Sequence, residues 1–363
     1  MAKKIEQNIK GDDNIQQTVG MQIIISGEGV SEERVREISS VMARKIADEY
    51  FQLSQDLANK RIENFQNIFV ERLNGIENGL SAFKDPDFVL AYRKSQIQAA
   101  TTDEESNYKM LTELLFHRQS QANDGYKKTG IDGAIELVNK LSDSTLSGLT
   151  ILTCINMAIL PLTNQLDEGL ETLNNCYESI LKYGLPNNSE WLDQLDILKA
   201  IRLNNFSTFK KFEEIIAQQM DGYSSAGIKK DSEEYKYALE IQNRVHINAL
   251  CEHPLNSGYY IIPVFAKNGI DKMHKNTTFG ISVPLNVDEV SALKEILNLY
   301  TKNDAEINEA NNRFIKKIDS YSSLKMIHEW WNTIPHSCEL TIVGRVLGHA
   351  NAKKCYKGFP DLD

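Results

Sequence analysis

Between Ser31 and Asn74 the chain carries neither Gly nor Pro, and apolar residues recur there at steps of three and four. Val35, Ile38, Met42, Ile46, Tyr50, Leu53 and Leu57 form a first run. Ile62, Phe65, Phe69, Leu73 and Ile76 resume it after a five-residue step. This is the period of an α-helix with one apolar face. Ser31 supplies an N-cap, and Glu32 and Glu33 sit where the helix dipole favours negative charge. A helix of about 40 residues reaches about 60 Å, so its stripe needs a partner along its length. That partner is either later helices of the same chain or, as a coiled coil, the same helix in another subunit. The five-residue step departs from a strict heptad. Self-association through Ile38, Met42, Leu53 and Leu57 is the expectation this stretch sets.

The residues before it have a different grammar. Ile5-Glu6-Gln7-Asn8-Ile9 and Asn14-Ile15-Gln16-Gln17-Thr18-Val19 flank the turn-formers Gly11-Asp12-Asp13, and Met21-Gln22-Ile23-Ile24-Ile25 follows. Alternation places Ile15, Val19 and Ile23 on one face. A strand set this short buries too little by itself and needs either its own domain or further copies. Stacked copies align the Gln and Asn amides into ladders. Ile9, Ile15, Val19 and Ile23 are therefore expected oligomerisation positions, with residues 1–29 a β-forming assembly segment.

The remainder reads as a helical array. Asp85-Pro86-Asp87 starts a helix carrying Phe88, Val89, Tyr92 and Ile97, and a second follows from about 104 to 121. Gly125 and Gly130 read as a loop before a helix over 131–141, and further helices are expected over 166–183 and 189–203. Residues 223–227 read as the flexible break. Near Pro254 the composition changes, with short strands expected around 258–265 and 279–284 and helices over 287–300, 303–318 and 324–331. The stretch 340–350 reads as a strand or turn running into a last helix. The expected fold is mainly α, divided into residues 1–29, a long helix over 30–84, a helical domain over 85–253 and a mixed α/β domain over 254–363.

The 363 residues include 50 acidic against 40 basic side chains, a formal charge of −10, which argues against general nucleic-acid binding. Five widely spaced cysteines suit reduced thiols and a cytoplasmic setting. Residues 144–166 contain no charged side chain. Ser147, Thr150, Thr153 and Asn156 dilute that segment, which favours a buried helix over a bilayer span.

No phosphate-binding Gly loop and no nucleophile elbow is present. Cys251-x-His253 and His336-x-Cys338 offer two pairs of zinc-type ligands, and a metal-dependent hydrolase or nuclease built on them is the enzyme alternative. No resident cofactor is otherwise expected. Trp330 and Trp331 sit at helical spacing with Ile327 and Ile334, a pattern of core more than of a ligand wall.

Tyr108-Lys109-Met110-Leu111-Thr112-Glu113-Leu114-Leu115, the 131–141 helix, Leu146 to Leu149 and Leu340-Thr341-x-x-Gly344 resemble the helical core and closure of bacterial abortive-infection alpha-like proteins. The Gln7-x-Ile9-x-Gly11-x-x-Asn14-x-Gln16 opening is similar to N-terminal tags of proteins from bacterial defence loci and to amyloid-like signalling motifs. The resemblance implies phage defence and supplies no catalytic residues. The expectation is a cytoplasmic, homo-oligomeric antiphage protein without evident catalysis, partnered by a phage component or another defence protein. A structural assembly protein is the remaining alternative.

Overall fold

A computed structural model describes residues 31–75, 79–121, 124–158, 163–276 and 281–362. The expected β segment, with Ile9, Ile15, Val19 and Ile23, lies outside them. The chain divides into two compact units, Met1–Asp56 and Leu57–Asp363. It is 67% helical, with short strands in small sheets, so the mainly α expectation holds.

Helix α1, Glu32–Asn74, runs through 43 residues without a break. Its second half turns Phe65, Phe69 and Leu73 inward. Phe69 stacks on Phe116 at 5.7 Å and meets Tyr92 at 5.1 Å, while Phe83 packs edge-on against Phe88. These rings bury a large apolar area in a small volume.

The helical array of the larger unit follows: α2 Pro86–Ala100, α3 Glu105–Ser120, α4 Gly125–Ile135, α5 Asp143–Asn156, α6 Leu166–Leu181 and α7 Glu190–Ile197. Its starts are chemically explicit. The side chain of Asp85 accepts from the Asp87 N–H with Pro86 in the first turn, and Asp124 accepts from the Tyr126 and Lys127 N–H groups. The Asp124 cap overrides the loop reading of Gly125 and Gly130, which both lie in α4. Gly130 is needed for packing, since a Cβ there would stand 2.5 Å from the Ile342 side chain. The 189–203 helix is also shorter than expected. Lys199 takes a left-handed φ of 59°, and the chain leaves α7 for strand β1, Ile201–Asn204.

Beyond β1 come α8 Phe212–Gln219, α9 Asp221–Ser224, β2 Ile228–Lys229, α10 Glu233–Val245, β3 Cys251–Glu252, β4 Tyr259–Ile261, β5 His274–Asn276 and β6 Ser282–Pro284. Then follow α11 Val287–Leu297, α12 Asp304–Ile318, α13 Ser322–Trp331, β7 Ser337–Leu340 and α14 Ile342–Cys355. β1 pairs antiparallel with β7, β4 lies between β2 and β3, and β5 pairs with β6. The change in composition near Pro254 falls inside the larger unit.

Two helices form the centre of that unit. α5 buries every residue from Thr145 to Ile155, and α14 buries residues 346–352. α14 packs against α3, α4, α5 and α6. The polar groups of α5 are satisfied at home: Thr150 and Thr153 donate to the carbonyls four residues back, Asn156 to Leu152, and Ser147 to Ile180 on α6. Asn351 of α14 donates to the Thr150 hydroxyl at 2.8 Å. Burying hydroxyls without these partners would cost about 1–3 kcal/mol each. Among the described residues no helix is long and apolar enough to cross a membrane. The 223–227 loop is not an open break: Tyr223, Ser224 and Ala226 are buried, and the Tyr223 ring packs edge-on to Phe265.

Candidate functional site

The first half of α1 presents a surface unlike any helix of the larger unit. Residues 32–56 are exposed apart from a half-buried Met42. Val35, Ile38, Val41, Ile46, Tyr50, Phe51 and Leu53 are each 42–69% accessible. The neighbouring ion pairs, Arg34–Glu37 at 2.6 Å and Arg36–Glu32 at 2.7 Å, lie on the surface and contribute only tenths of a kcal/mol each. Of the expected oligomerisation positions, Ile38, Met42 and Leu53 fall on this stretch, and Leu57, 49% exposed, continues the stripe. Val35, Met42, Ile46, Tyr50 and Leu53 share one face of the helix, Ile38 lies at its edge, and Val41 and Phe51 lie toward the opposite side. The five-residue step between Leu57 and Ile62 precedes the change from exposed to buried stripe.

The expected metal ligands are not brought together. Cys251 lies on β3 and Cys338 on β7, in different sheets. His253 is fully engaged as a neutral imidazole: its Nδ1 accepts from the Leu255 N–H at 3.1 Å and its Nε2 donates to the Ser225 carbonyl at 2.9 Å. Burial pushes its pKa down, and neither nitrogen retains a lone pair for a metal. Burial also raises the Cys251 thiol and pushes the Cys338 thiol up to about 12, away from the thiolate that zinc requires. His336 sits half-buried in the connection before β7. Among the described residues no three His, Cys, Asp or Glu side chains form a set that could hold a metal ion.

Two histidine arrangements were not foreseen from the sequence. His117 on α3 and His349 on α14 lie with ring centroids 5.0 Å apart beneath the segment that follows α14. His349 Nε2 contacts the Pro360 carbonyl at 2.9 Å, and Phe359 packs edge-on against its ring. Lys353 donates to the Phe359 carbonyl and to Asp361, while Gln121 donates to the Leu362 carbonyl. Burial, then the neighbouring His349, pushes the His117 pKa down to about 3. A base that weak takes up almost no proton near neutrality, so His117 serves packing rather than acid–base chemistry.

The second arrangement sets His328 on α13 between two carboxylates, with Nδ1 2.8 Å from Asp319 and Nε2 3.2 Å from Glu213 on α8. Asn332 donates to the same Glu213 oxygen, and Phe212 stacks on the imidazole at 5.1 Å. No nucleophile adjoins it, and the geometry is that of a clamp between α8 and α13. The indoles of Trp330 and Trp331 donate to the Pro186 and Lys210 carbonyls, as core residues would. The signal that could have found these histidines is their place on the apolar faces of helices, but their partners lie far away in sequence.

Two open clefts complete the surface. One of about 370 Å³ is lined by Ser142, Thr145, Asn188, Glu190 and Gln194, and one of about 420 Å³ by Lys229, Glu234, Lys302 and Glu306. Neither presents a nucleophile beside a base. The exposed stripe on α1 is therefore the feature with the clearest functional content.

No curated protein and no solved structure matches this chain. A model of a family of unknown function matches residues 29–363, a span that takes in all of α1 and the larger unit, and the chain belongs to that family.

Proposed function

We propose that this is a bacterial antiphage protein of abortive-infection type that acts by assembling copies of itself through the first half of α1, without catalysis. The observation that carries the reading is the row Val35, Ile46, Tyr50 and Leu53, each at least 50% exposed, with Ile38 at its edge, on a helix whose later turns bury Phe65, Phe69 and Leu73. Leaving such a row in water costs about 25 cal/mol per Å² of apolar surface, a penalty that pairing of copies removes. The resemblance of the α3 to α5 region and of Leu340-Thr341-x-x-Gly344 to abortive-infection proteins supports the defence setting. The family match includes α1, which supports a role for this helix beyond that of a linker.

The test pairs a mass measurement with an infection assay. Light scattering of the whole chain is expected to give a multiple of 41.2 kDa, and Ile46→Asp/Leu53→Asp to give the single mass. Cells carrying the intact gene should plate at least some phages less efficiently than empty cells. The double variant, and a variant lacking residues 1–29, should lose that protection. A monomeric wild type at micromolar concentration, or equal plating of diverse phages on carrier and empty cells, would overturn the proposal.

A further inference from the structure

On a helix of 3.6 residues per turn, Val35, Met42, Ile46, Tyr50 and Leu53 fall within about 40° of one line along α1. Val35, Ile46 and Leu57 are eleven residues apart, so the stripe runs nearly straight and drifts little around the helix. It is close to symmetric about Ile46: Met42 and Tyr50 stand four residues to either side and Val35 and Leu57 eleven, while Leu53 is answered by Ser39 at seven.

The flanks are not alike. On one side, about 60–120° from the stripe, lie Arg34, Ile38, Lys45, Glu49, Gln52 and Asp56, whose charges are basic in the first half and acidic in the second. On the other lie Arg36, Ser40, Ala43, Ala47 and Ser54, with one charge among them. In a parallel pair each flank meets the opposite flank of its neighbour, so the charged side would face Ser and Ala. In an antiparallel two-fold pair each flank meets its own kind, reversed. Reversal about Ile46 brings Lys45 to Glu49 of the second copy and Arg34 to Asp56 of the second copy, each twice. The Arg34–Glu37 pair given up is a surface pair of small worth.

We infer that residues 34–58 pair antiparallel with the same residues of a second copy, about a two-fold axis at Ile46. The inference rests on the self-association proposed above and names its geometry. Some 25 residues at 1.5 Å each give a contact about 37 Å long.

Cross-linking separates the orientations. Ile46→Cys, Met42→Cys and Tyr50→Cys are made in the full chain and oxidised. Wild type is run beside them as the background for its five free cysteines. In the antiparallel pair Ile46→Cys links to itself. Met42→Cys links to Tyr50→Cys on a differently tagged copy, and neither of those two links to itself. Two copies of Met42 would lie about 12 Å apart along the axis, beyond the roughly 7 Å limit for a disulfide. Self-linking of Met42→Cys and of Tyr50→Cys would show parallel helices and sink this inference while leaving self-association intact. A dimer by light scattering with no cross-link in any variant would place the interface elsewhere and overturn it as well. A monomer would overturn both.

Discussion

The imidazole of His117 lies 5.0 Å from that of His349, on helices from opposite ends of the larger unit. Among the described residues His117 Nδ1 is buried without a hydrogen-bond partner. The charged groups acting on His117 are Lys353 and Asp361, and they draw its pKa in opposite directions. A folded pKa of about 3 lies below the ordinary 6.5, so below 6.5 the unfolded chain binds the additional proton. The stabilisation is present in full above about pH 6.5 and is lost as pH falls from there toward 3. The slope approaches about 1.4 kcal/mol per pH unit. Melting curves between pH 7.5 and 5 should fall more steeply for wild type than for His117→Gln, and parallel falls would count against this account.

Gly344 and Gly125 should respond in opposite senses to alanine. A Cβ on Gly344 would stand 2.0 Å from the Ala200 carbonyl oxygen, which also accepts from the Thr341 N–H and hydroxyl. Backbone on both sides leaves no cheap relief, so Gly344→Ala should lose about 1–3 kcal/mol or more. Gly125, in the first turn of α4, meets nothing within 4 Å. Gly125→Ala should therefore gain up to about 1 kcal/mol by restricting the unfolded chain. Urea unfolding of the two variants measures both signs.

Tyr300 is buried, and its hydroxyl accepts from the Ile262 N–H at 2.7 Å. Burial raises its pKa, which keeps the phenol neutral. Tyr300→Phe should cost about 1–3 kcal/mol by orphaning a buried N–H, whereas Tyr126→Phe, at a position 69% exposed, should cost almost nothing. Equal losses in the two variants would disprove the role of the bond.

The chain as purified should carry no stoichiometric zinc, and Cys251→Ser or Cys338→Ser should leave its metal content unchanged. The reason is the occupation of both His253 nitrogens and the separation of the cysteines into two sheets. Elemental analysis of dialysed protein checks this, and one zinc per chain that vanishes in either variant would contradict it.

The elements legible in the sequence are those whose cause is local. α1 follows from its three-four spacing and lack of breakers, and α2 from Asp85 and Pro86. Where the cause is distant the sequence misleads. Gly130 reads as a loop until Ile342 is placed against it. Residues 201–204 continue a helical pattern but are claimed by β7. Tyr223 to Gly227 reads as a break, yet the Gly222 N–H donates to the Phe265 carbonyl and holds the segment inside. The α1 surface was legible as an apolar stripe, whereas its exposure was not, because period alone does not say what covers a face. His117 and His328 were missed for the same reason, since each takes its meaning from a partner that sequence spacing does not reveal.

α14 carries a consequence for how the molecule is made. It is translated after every helix it packs against, α3, α4, α5 and α6, whose fully buried side chains include Leu111, Ile131 and Leu149. While the ribosome has yet to deliver residues 342–355, those side chains line an open apolar trough on the nascent chain. Folding of the larger unit should thus wait for residues 342–355, and a product that stopped short of Ile342 would present that trough to chaperones and proteases.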